Sequence, residues 1–499
     1  MFIHEALTKT AEETPDKPGF YAAERHYTYR EVEEASNRVA RFLVSMGVEK
    51  GDRVGIFSTK CVEEVLVIFG AMKAGVVFVH LNPHFKEEQL AHIIRDCGMK
   101  LLFLHESKKG IWNKSDLKSG EPAEVVPIFS DPLTPGGFHD IIEGLPDHFT
   151  PVSGISREDP AAIIYTSGST GKPKGIIVTH GIFLDSTVTS AQVLENHSED
   201  RIISVSPFSF DGALSQLFTS VYVGATLVLQ ESLFPQDIVN TMLNQRITGF
   251  HAVPSFWRML LQRHSPFSRN QYPHLRYVSI IGEVFPHDDL MRLRQILSNT
   301  RFYMMYGTTE AFRSTCLPPE DFERKPSSIG KPLPGVTIRI LDEQGEDCAP
   351  GEVGEIVHEG AFISPGYWNN PEQNERRFRG RALYTGDLAK RDGDGYLYFA
   401  GRKDMMLKSM GFRISPEEIE EVLLRMDGIE EVAVTGIWVE ESGERIKALI
   451  ISGNQCMLSK EAVIQYSRQH LPHYMVPHSI EFVSELPRTA TFKINRSEL

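Results

Sequence analysis

Short apolar runs bounded by turn residues alternate with segments of helical period along most of the chain. That alternation restricts the fold more than any other feature. Strands that are apolar on both faces must be covered on both faces, which calls for helices packed on largely parallel sheets. Residues 52–57 form the first such run and are followed by the helix-like 62–72. The strand, helix, strand rhythm returns at 101–104, 162–165, 202–206 and 278–281, without a sequence repeat of fixed period. The expected class is α/β.

Local signals fix several helix ends. Thr28-Tyr29-Arg30-Glu31 has the form of a capping box, followed by a stripe of Val32, Val39, Phe42, Leu43 and Met46 and then Gly47 at the expected C-terminus. Residues 330–366 are rich in Gly and Pro, with short runs at 337–341 and 355–358, which reads as a compact β-rich subdomain. A boundary falls near Gly401-Arg402-Lys403-Asp404. Beyond it Ser415-Pro416-Glu417-Glu418 reads as a second capping box, with Ile419, Val422, Leu423 and Met426 on one helix face. Residues 431–439 and 445–452 then read as strands and 460–470 as a helix, enough for a small C-terminal domain.

The 499 residues allow two to four folding units, and 41% hydrophobic with 24% charged residues is globular usage that excludes a mostly disordered or fibrous chain. Lys and Arg number 52 against 66 acidic residues, a net charge of −14 that argues against nucleic-acid or anionic-membrane partners. Cys61, Cys97, Cys316, Cys348 and Cys456 are scattered without metal-ligand spacing, as expected of reduced thiols. Glu5 interrupts what would be a signal peptide, and Lys73 interrupts the most apolar stretch, 65–79, short of the roughly 20 residues of a membrane span. A soluble cytoplasmic protein, monomer or homodimer, is the expectation.

Residues 165–175, Tyr-Thr-Ser-Gly-Ser-Thr-Gly-Lys-Pro-Lys-Gly, follow the strand-like 161–164. Glycines let backbone N–H groups turn toward an anion, hydroxyls add donors, and Lys172 and Lys174 add charge. It is not a Walker loop, because Thr166 stands where that pattern needs glycine and Pro173 where it needs Ser or Thr. A flexible linker is the alternative, but linkers rarely follow a buried strand or carry Lys-Pro-Lys.

This segment resembles the phosphate loop of the adenylate-forming superfamily: acyl-CoA synthetases, luciferases and the adenylation domains of nonribosomal peptide synthetases. The resemblance runs through nearly the whole chain. It implies a large N-terminal domain of parallel-type α/β sheets with a small β-rich subdomain, residues 1–402, and a small mobile α+β C-terminal domain, residues 403–499. It also implies that Thr166, Ser167, Gly168, Ser169, Thr170, Gly171, Lys172 and Lys174 hold the phosphates of ATP. Tyr306-Gly307-Thr308-Thr309-Glu310 is similar to the motif whose tyrosine stacks on adenine and whose glutamate helps hold Mg²⁺, with Gly307 and Thr309 beside the nucleotide. A divalent cation makes sense where a carboxylate must attack a phosphate, anion against anion. Ile281-Gly282-Glu283 resembles the lining of the adenine pocket, with Ile281 where glycine is usual.

Tyr384-Thr385-Gly386-Asp387 is similar to the segment whose aspartate binds the ribose hydroxyls, and an acidic side chain can accept both bonds. Arg402 is then expected near the nucleotide and Asp404 at the hinge. Lys408-Ser409-Met410-Gly411-Phe412-Arg413 resembles the loop that enters the site for thioester formation. Residues 486–496 resemble the motif of the catalytic lysine, here Lys493, with Thr491-Phe492 replacing the usual Asn-Gly.

The same resemblance sets Asp211, Gly212, Ser215, Ser279, Ile281, Met305 and Arg313 around the acyl group, with Asp211 in register with the aspartate that pairs with a substrate ammonium. Asp211 as a plain helix cap is the competing reading. Arg313 either clamps a carboxylate or hydroxyl of the substrate, or structures its loop through an ion pair with Glu310 or Asp211. The run 309–315 with Leu317-Pro318-Pro319 resembles stand-alone prolyl-type ligases and exopolysaccharide-associated acyl ligases.

The implied activity is ATP-dependent activation of a small amino acid as its adenylate, with release of pyrophosphate. Transfer to the phosphopantetheine of a separate carrier protein follows, since no carrier domain follows Lys493. An AMP-forming acyl- or aryl-CoA ligase using free coenzyme A is the alternative. A noncatalytic nucleotide-binding homologue is more distant, because Glu310, Asp387, Asp404 and Lys493 all occur together; an oxidative luciferase is a distant third.

Overall fold

The computed structural model describes all residues except 23–24, 116, 118–121, 123, 130–133, 168–172, 404, 406, 410–411, 440–442, 454–457 and 490–492; for 167, 408–409, 412–413, 438–439, 443–444 and 497 it describes the backbone alone. The alternating runs assemble as expected into two large sheets. The nine-stranded sheet has the order Lys331–Pro332, Thr315–Leu317, Arg301–Tyr306, Tyr277–Ile280, Gly249–Ala252, Arg201–Ser204, Thr226–Leu229, Pro18–Ala22, Arg25–Thr28. Its central strands run parallel and its edge strands antiparallel. The six-stranded sheet, Glu124–Ile128, Leu101–His105, Arg53–Phe57, Val77–His80, Pro160–Ser167, Pro173–Thr179, is parallel except for its last hairpin.

One hydrophobic core joins both sheets through the helices Tyr29–Ser45, Val62–Lys73, His180–Val193 and Asp211–Val223. Val62–Lys73 is buried on every face, which is why its sequence is apolar all round. The lysine that interrupts that run is itself 1% exposed; Lys73 Nζ meets Glu33 Oε2 at 2.7 Å, Asn37 Oδ1 at 2.7 Å and Ser36 Oγ at 2.8 Å.

The capping box at Thr28 forms, with Glu31 N donating to Thr28 Oγ1 and Thr28 N donating to Glu31 Oε2. Gly47 follows the helix with φ +70°. Met46 departs from the expected stripe: it is the C-cap and is 42% exposed, because the helix ends before its next turn meets the core. Ser415 also departs from expectation. It precedes helix Pro416–Leu424, but its hydroxyl donates to Glu417 Oε2 at 2.5 Å and caps no backbone N–H. A charged acceptor two residues on outcompetes the capping geometry.

The Gly- and Pro-rich region forms a five-stranded sheet from Val336–Leu341, Val353–Gly360, Phe378–Arg379, Ala382–Arg391 and Leu397–Arg402. The C-terminal domain has its own core. Strands Ile429–Val439, Gly443–Ser452 and Ser479–Phe482 form its sheet, with helices Pro416–Leu424 and Lys460–His470 beside them. Among the described residues no helix is long and apolar enough to cross a membrane.

Candidate active site

Tyr306 ends a central strand of the nine-stranded sheet and is buried. Its Oη donates to Asp387 Oδ2 at 2.8 Å. Asp387 lies within Ala382–Arg391 and is the strand partner of Arg402, whose Nε is 3.1 Å from Asp387 Oδ1. Burial pushes the Asp387 carboxyl up, opposed chiefly by Arg402. The Tyr306 phenol is pushed well up, by burial and by Asp387. A flat aromatic beside a charge-balanced carboxylate can stack on a base while the carboxylate accepts O–H bonds. Two different sheets are needed to bring these groups together.

After Tyr306 the chain turns back on itself. A Cβ at Gly307 would lie 3.1 Å from the Phe312 carbonyl and 3.2 Å from Arg313 Cα, so this turn is closed by a missing side chain. Thr309 and Glu310 ride on it, both half-buried. Glu310 Oε1 accepts from Tyr367 Oη at 2.7 Å, and its carbonyl accepts from Ser364 N at 2.8 Å.

The segment 364–368 also grips the hairpin of Pro160–Ser167 and Pro173–Thr179, with Ile177 N donating to Gly366 O at 3.0 Å and Trp368 N to Gly175 O at 2.7 Å. Thr166 and Lys174 face each other across that hairpin. Gly168, Ser169, Thr170, Gly171, Lys172 and the Ser167 side chain lie outside the described residues. Glu310 is thereby tied to the hairpin that presents the loop.

Asp211 opens helix Asp211–Val223, with Phe210 as the N-cap. Its Oδ1 accepts from the next amide, Gly212 N, at 2.8 Å, which is not the usual cap bond two or three residues on. Burial pushes its carboxyl up; Arg313, the Gly212 amide and Lys493 pull it back, and Glu310 pushes the same way as burial. Ser215 is buried four residues on, one turn along the same helix face.

Ser279 and Met305 sit on neighbouring strands, both buried, and Ile281 follows directly, half-buried against the central core. Arg313 is 4% exposed, lies among Asp211, His251 and Cys316, and is held lower than usual by burial. Among the described residues it makes no ion pair within 4.0 Å, which removes the expected alternative of a pair with Glu310 or Asp211.

Lys493 comes from the other domain. Its Nζ donates to the Gly282 carbonyl at 2.6 Å. Gly282 has φ +100°, and a Cβ there would lie 3.1 Å from that Nζ, so glycine opens the approach. The lysine is fixed from both sides: Thr489 N donates to Lys493 O at 2.7 Å, and Arg496 pairs with Glu420 at 2.8 Å and Glu417 at 3.0 Å. Thr491 and Phe492 lie outside the described residues, as does Asp404. Glu283 Oε2 accepts from Ser255 N at 2.9 Å. The strand of Lys408, Leu407–Ser409, pairs with Phe412–Ile414, and Leu407 and Ile414 belong to the C-terminal core; the Lys408 side chain lies outside the described residues.

Residues 7–368 match the AMP-binding enzyme model and 418–493 the model of the AMP-binding enzyme C-terminal domain. The chain belongs to the AMP-binding enzyme family. This is the adenylate-forming superfamily that the motifs resemble.

Among its relatives, zwittermicin A synthase ZmaJ of Bacillus cereus is 30% identical, aligned over 97% of this chain and 92% of that protein. The L-proline–[L-prolyl-carrier protein] ligase of Streptomyces coelicolor is 30% identical, over 94% and 91%. The anthranilate CoA ligase AuaEII, solved with anthranoyl-AMP, superposes with a TM-score of 0.91 at 27% identity, over 100% of this chain and 96% of that one. Other relatives are far longer: the chain spans 6% and 10% of linear gramicidin synthase subunits C and D of Brevibacillus parabrevis.

Two residues of this family member's site escape a reading of its sequence. His251 is buried, bonds Ser279 Oγ through Nδ1 at 2.8 Å, and has its Nε2 2.7 Å from where a Gly212 Cβ would be. Burial, then Arg313, lowers it to about 3, so it is neutral. A lone polar residue inside the apolar strand Gly249–Ala252 was the available signal. Tyr367, which holds Glu310, had no such signal.

Proposed function

We propose that the protein joins a small, amine-bearing carboxylic acid to AMP, releases pyrophosphate, and transfers the acyl group to a phosphopantetheine thiol. The observation that carries this reading is Lys493 Nζ on the Gly282 carbonyl, because it brings a cation from the C-terminal domain within electrostatic reach of Asp211. A cation there would bridge the acid's carboxylate and the α-phosphate as negative charge builds on both. The loop 166–174 would hold the polyphosphate, Tyr306 the base, and Asp387 with Arg402 the ribose.

Glu310 is suited to Mg²⁺. Among the described residues no three His, Cys, Asp or Glu side chains form a metal cluster, and Mg²⁺ is ordinarily held by one or two carboxylates plus substrate phosphates. Bound there, it would offset the charge of the polyphosphate. A domain boundary at 402/403, with Asp404 as pivot, would let Lys493 withdraw and the Lys408 segment enter for the thioester step.

Asp211 supports an amine on the substrate, since a half-buried carboxylate beside the reacting carboxyl gains from an ammonium partner. The relatives named for proline and for anthranilate handle acids with a nitrogen close to the carboxyl. Their names also divide between a carrier-protein and a coenzyme A acceptor.

ATP–pyrophosphate exchange with small amino acids and their des-amino analogues, in wild type and Asp211→Ala, tests the reading. A charge-assisted bond of about 1.5–3 kcal/mol predicts a preference for the amine of about 10- to 150-fold that collapses in the variant. A wild type that prefers the des-amino acids returns Asp211 to a structural role. Supplying coenzyme A and a phosphopantetheinylated carrier separately then identifies the acceptor.

A further inference from the structure

Arg313 is a buried cation that meets no acceptor among the described residues. It is 4% exposed, its Nε has no hydrogen-bond partner, and among the described residues its side chain makes no hydrogen bond or ion pair. Guanidinium groups are not left so; a buried, unpaired charge costs several kcal/mol, and natural interiors pair them. The chain also strains itself to put the group there. Phe312 has φ +49°, a left-handed conformation rare for an aromatic residue. Around it Arg313 N donates to Ala311 O at 2.5 Å, and the Phe312 ring is locked edge-on against Phe183 at 5.5 Å. This kink turns Phe312 into the core and sets Arg313 among Asp211, His251 and Cys316.

None of those three satisfies it. His251 is neutral and already bonds Ser279 through Nδ1. The Cys316 thiol is pushed up to about 12 by burial and is no acceptor of consequence. Asp211 attracts Arg313 across the pocket without touching it, and burial dominates both groups despite that attraction. Charge bookkeeping then points one way. In the proposed reaction the substrate's ammonium answers Asp211 and its reacting carboxylate answers Lys493. One positive charge, Arg313, is left over.

We propose that Arg313 is a specificity-determining residue that binds a second carboxylate on the substrate, so that the acid activated is a small dicarboxylic amino acid. The planar fork of Arg matches a carboxylate in bidentate fashion, which an amide or hydroxyl does not reproduce. Ile281 standing where glycine is usual narrows the pocket and so favours a short side chain. The inference rests on the amine reading of Asp211 for the word "amino" only; the second carboxylate rests on Arg313 alone.

The test is kcat/KM by ATP–pyrophosphate exchange for L-aspartate, L-glutamate, L-asparagine, 2-aminobutyrate and succinate, in wild type, Arg313→Gln and Arg313→Lys. Wild type should prefer aspartate or glutamate to asparagine and 2-aminobutyrate by at least about 10-fold. Arg313→Gln should erase that preference, chiefly through KM of the acid, and leave the KM for ATP unchanged. Arg313→Lys should restore part of it.

Asparagine or 2-aminobutyrate activated as well as the dicarboxylic amino acids by wild type overturns the inference. So does failure of wild type to activate any of the three dicarboxylates. Succinate activated as well as aspartate leaves Arg313 in its role but removes the amine reading of Asp211. The wild-type panel decides the matter even if the variants fail to fold.

Discussion

The phenol of Tyr306 donates to the carboxylate of Asp387 at 2.8 Å, across 81 residues of sequence. Tyr306 ends a parallel strand of the nine-stranded sheet, whereas Asp387 belongs to the antiparallel five-stranded sheet with Arg402 at its side. The bond therefore fixes where one sheet meets the other, at the point where a nucleotide would lie.

Tyr306→Phe keeps the ring and removes that donor. Asp387 retains Arg402, so the loss is one hydrogen bond to a charged acceptor, about 1.5 kcal/mol at the lower end of its range. kcat/KM for ATP should fall about 10-fold, mostly through KM, because a positioning bond is lost and no group acting on the reacting atoms. Steady-state kinetics over ATP concentration checks this, and a fall confined to kcat would place Tyr306 in the chemical step.

Lys493→Ala should cut adenylate formation by two orders of magnitude or more, since a preorganised cation aimed at developing charge is the kind of group whose removal costs that much. Transfer to a thiol from a supplied adenylate should survive. Its contacts explain the asymmetry: Lys493 reaches Gly282 only while the C-terminal domain is docked as it is here, with Arg258 Nη2 donating to Glu430 O at 3.0 Å. Equal loss in both half-reactions, measured by pyrophosphate release and by thioester formation, would make the lysine a structural tie.

The strand and helix sequence was legible because buried parallel strands leave unambiguous apolar runs. Residues 52–57 became Arg53–Phe57 and 460–470 became Lys460–His470. The site motifs were legible because glycines, lysines and carboxylates cluster in short segments of sequence. What could not be read is anything that depends on groups meeting from distant segments. Tyr367 supports Glu310 from 57 residues away, and His251 meets Ser279 from a neighbouring strand. Arg313 shows the limit most clearly. Its sequence left open a clamp on the substrate or an ion pair with Glu310 or Asp211, and only the structure, with its left-handed turn at Phe312, shows no such pair among the described residues. Ser415 failed for a local reason, since Glu417 took its hydroxyl.

Lys73 looked in sequence like an interruption of an apolar run, and it is the buried partner of Glu33. Burial lowers its ammonium despite Glu33, so the pair is held at a desolvation cost. Removing one partner strands the other: Glu33→Ala should destabilise the protein by about 3–5 kcal/mol. Replacing both, Glu33→Leu with Lys73→Met, should recover most of that loss, because well-packed apolar groups do as well as a buried ion pair. Urea unfolding of the three proteins measures it, and a double variant no better than the single would show the pair to be stabilising in its own right.

His4 and His180 are each 1% exposed, their rings lie 6.0 Å apart edge to face, and neither Nδ1 has a hydrogen-bond partner. Burial lowers His4 from 6.5 to about 3, with His180, Lys73 and the N-terminal ammonium acting in the same direction. Burial likewise lowers His180 to about 4, with Asp159 opposing and Lys50 assisting. Both are therefore neutral when folded and ordinary when unfolded, so below pH 6.5 the unfolded chain binds more protons. Stability from these groups is fully present above pH 6.5, declines as pH falls through the window, and has stopped declining below about pH 3. His251 and His358, lowered to about 3 and about 4, add to the same slope. His4→Phe keeps an aromatic ring against Phe2 and His180 but removes one titrating group. Between pH 6 and 4 its unfolding free energy should fall less steeply than that of wild type, by up to one proton's worth, about 1.4 kcal/mol per pH unit. Urea unfolding across that range reads the two slopes directly; parallel curves would mean that His4 takes up its proton in the folded protein as readily as in the unfolded chain.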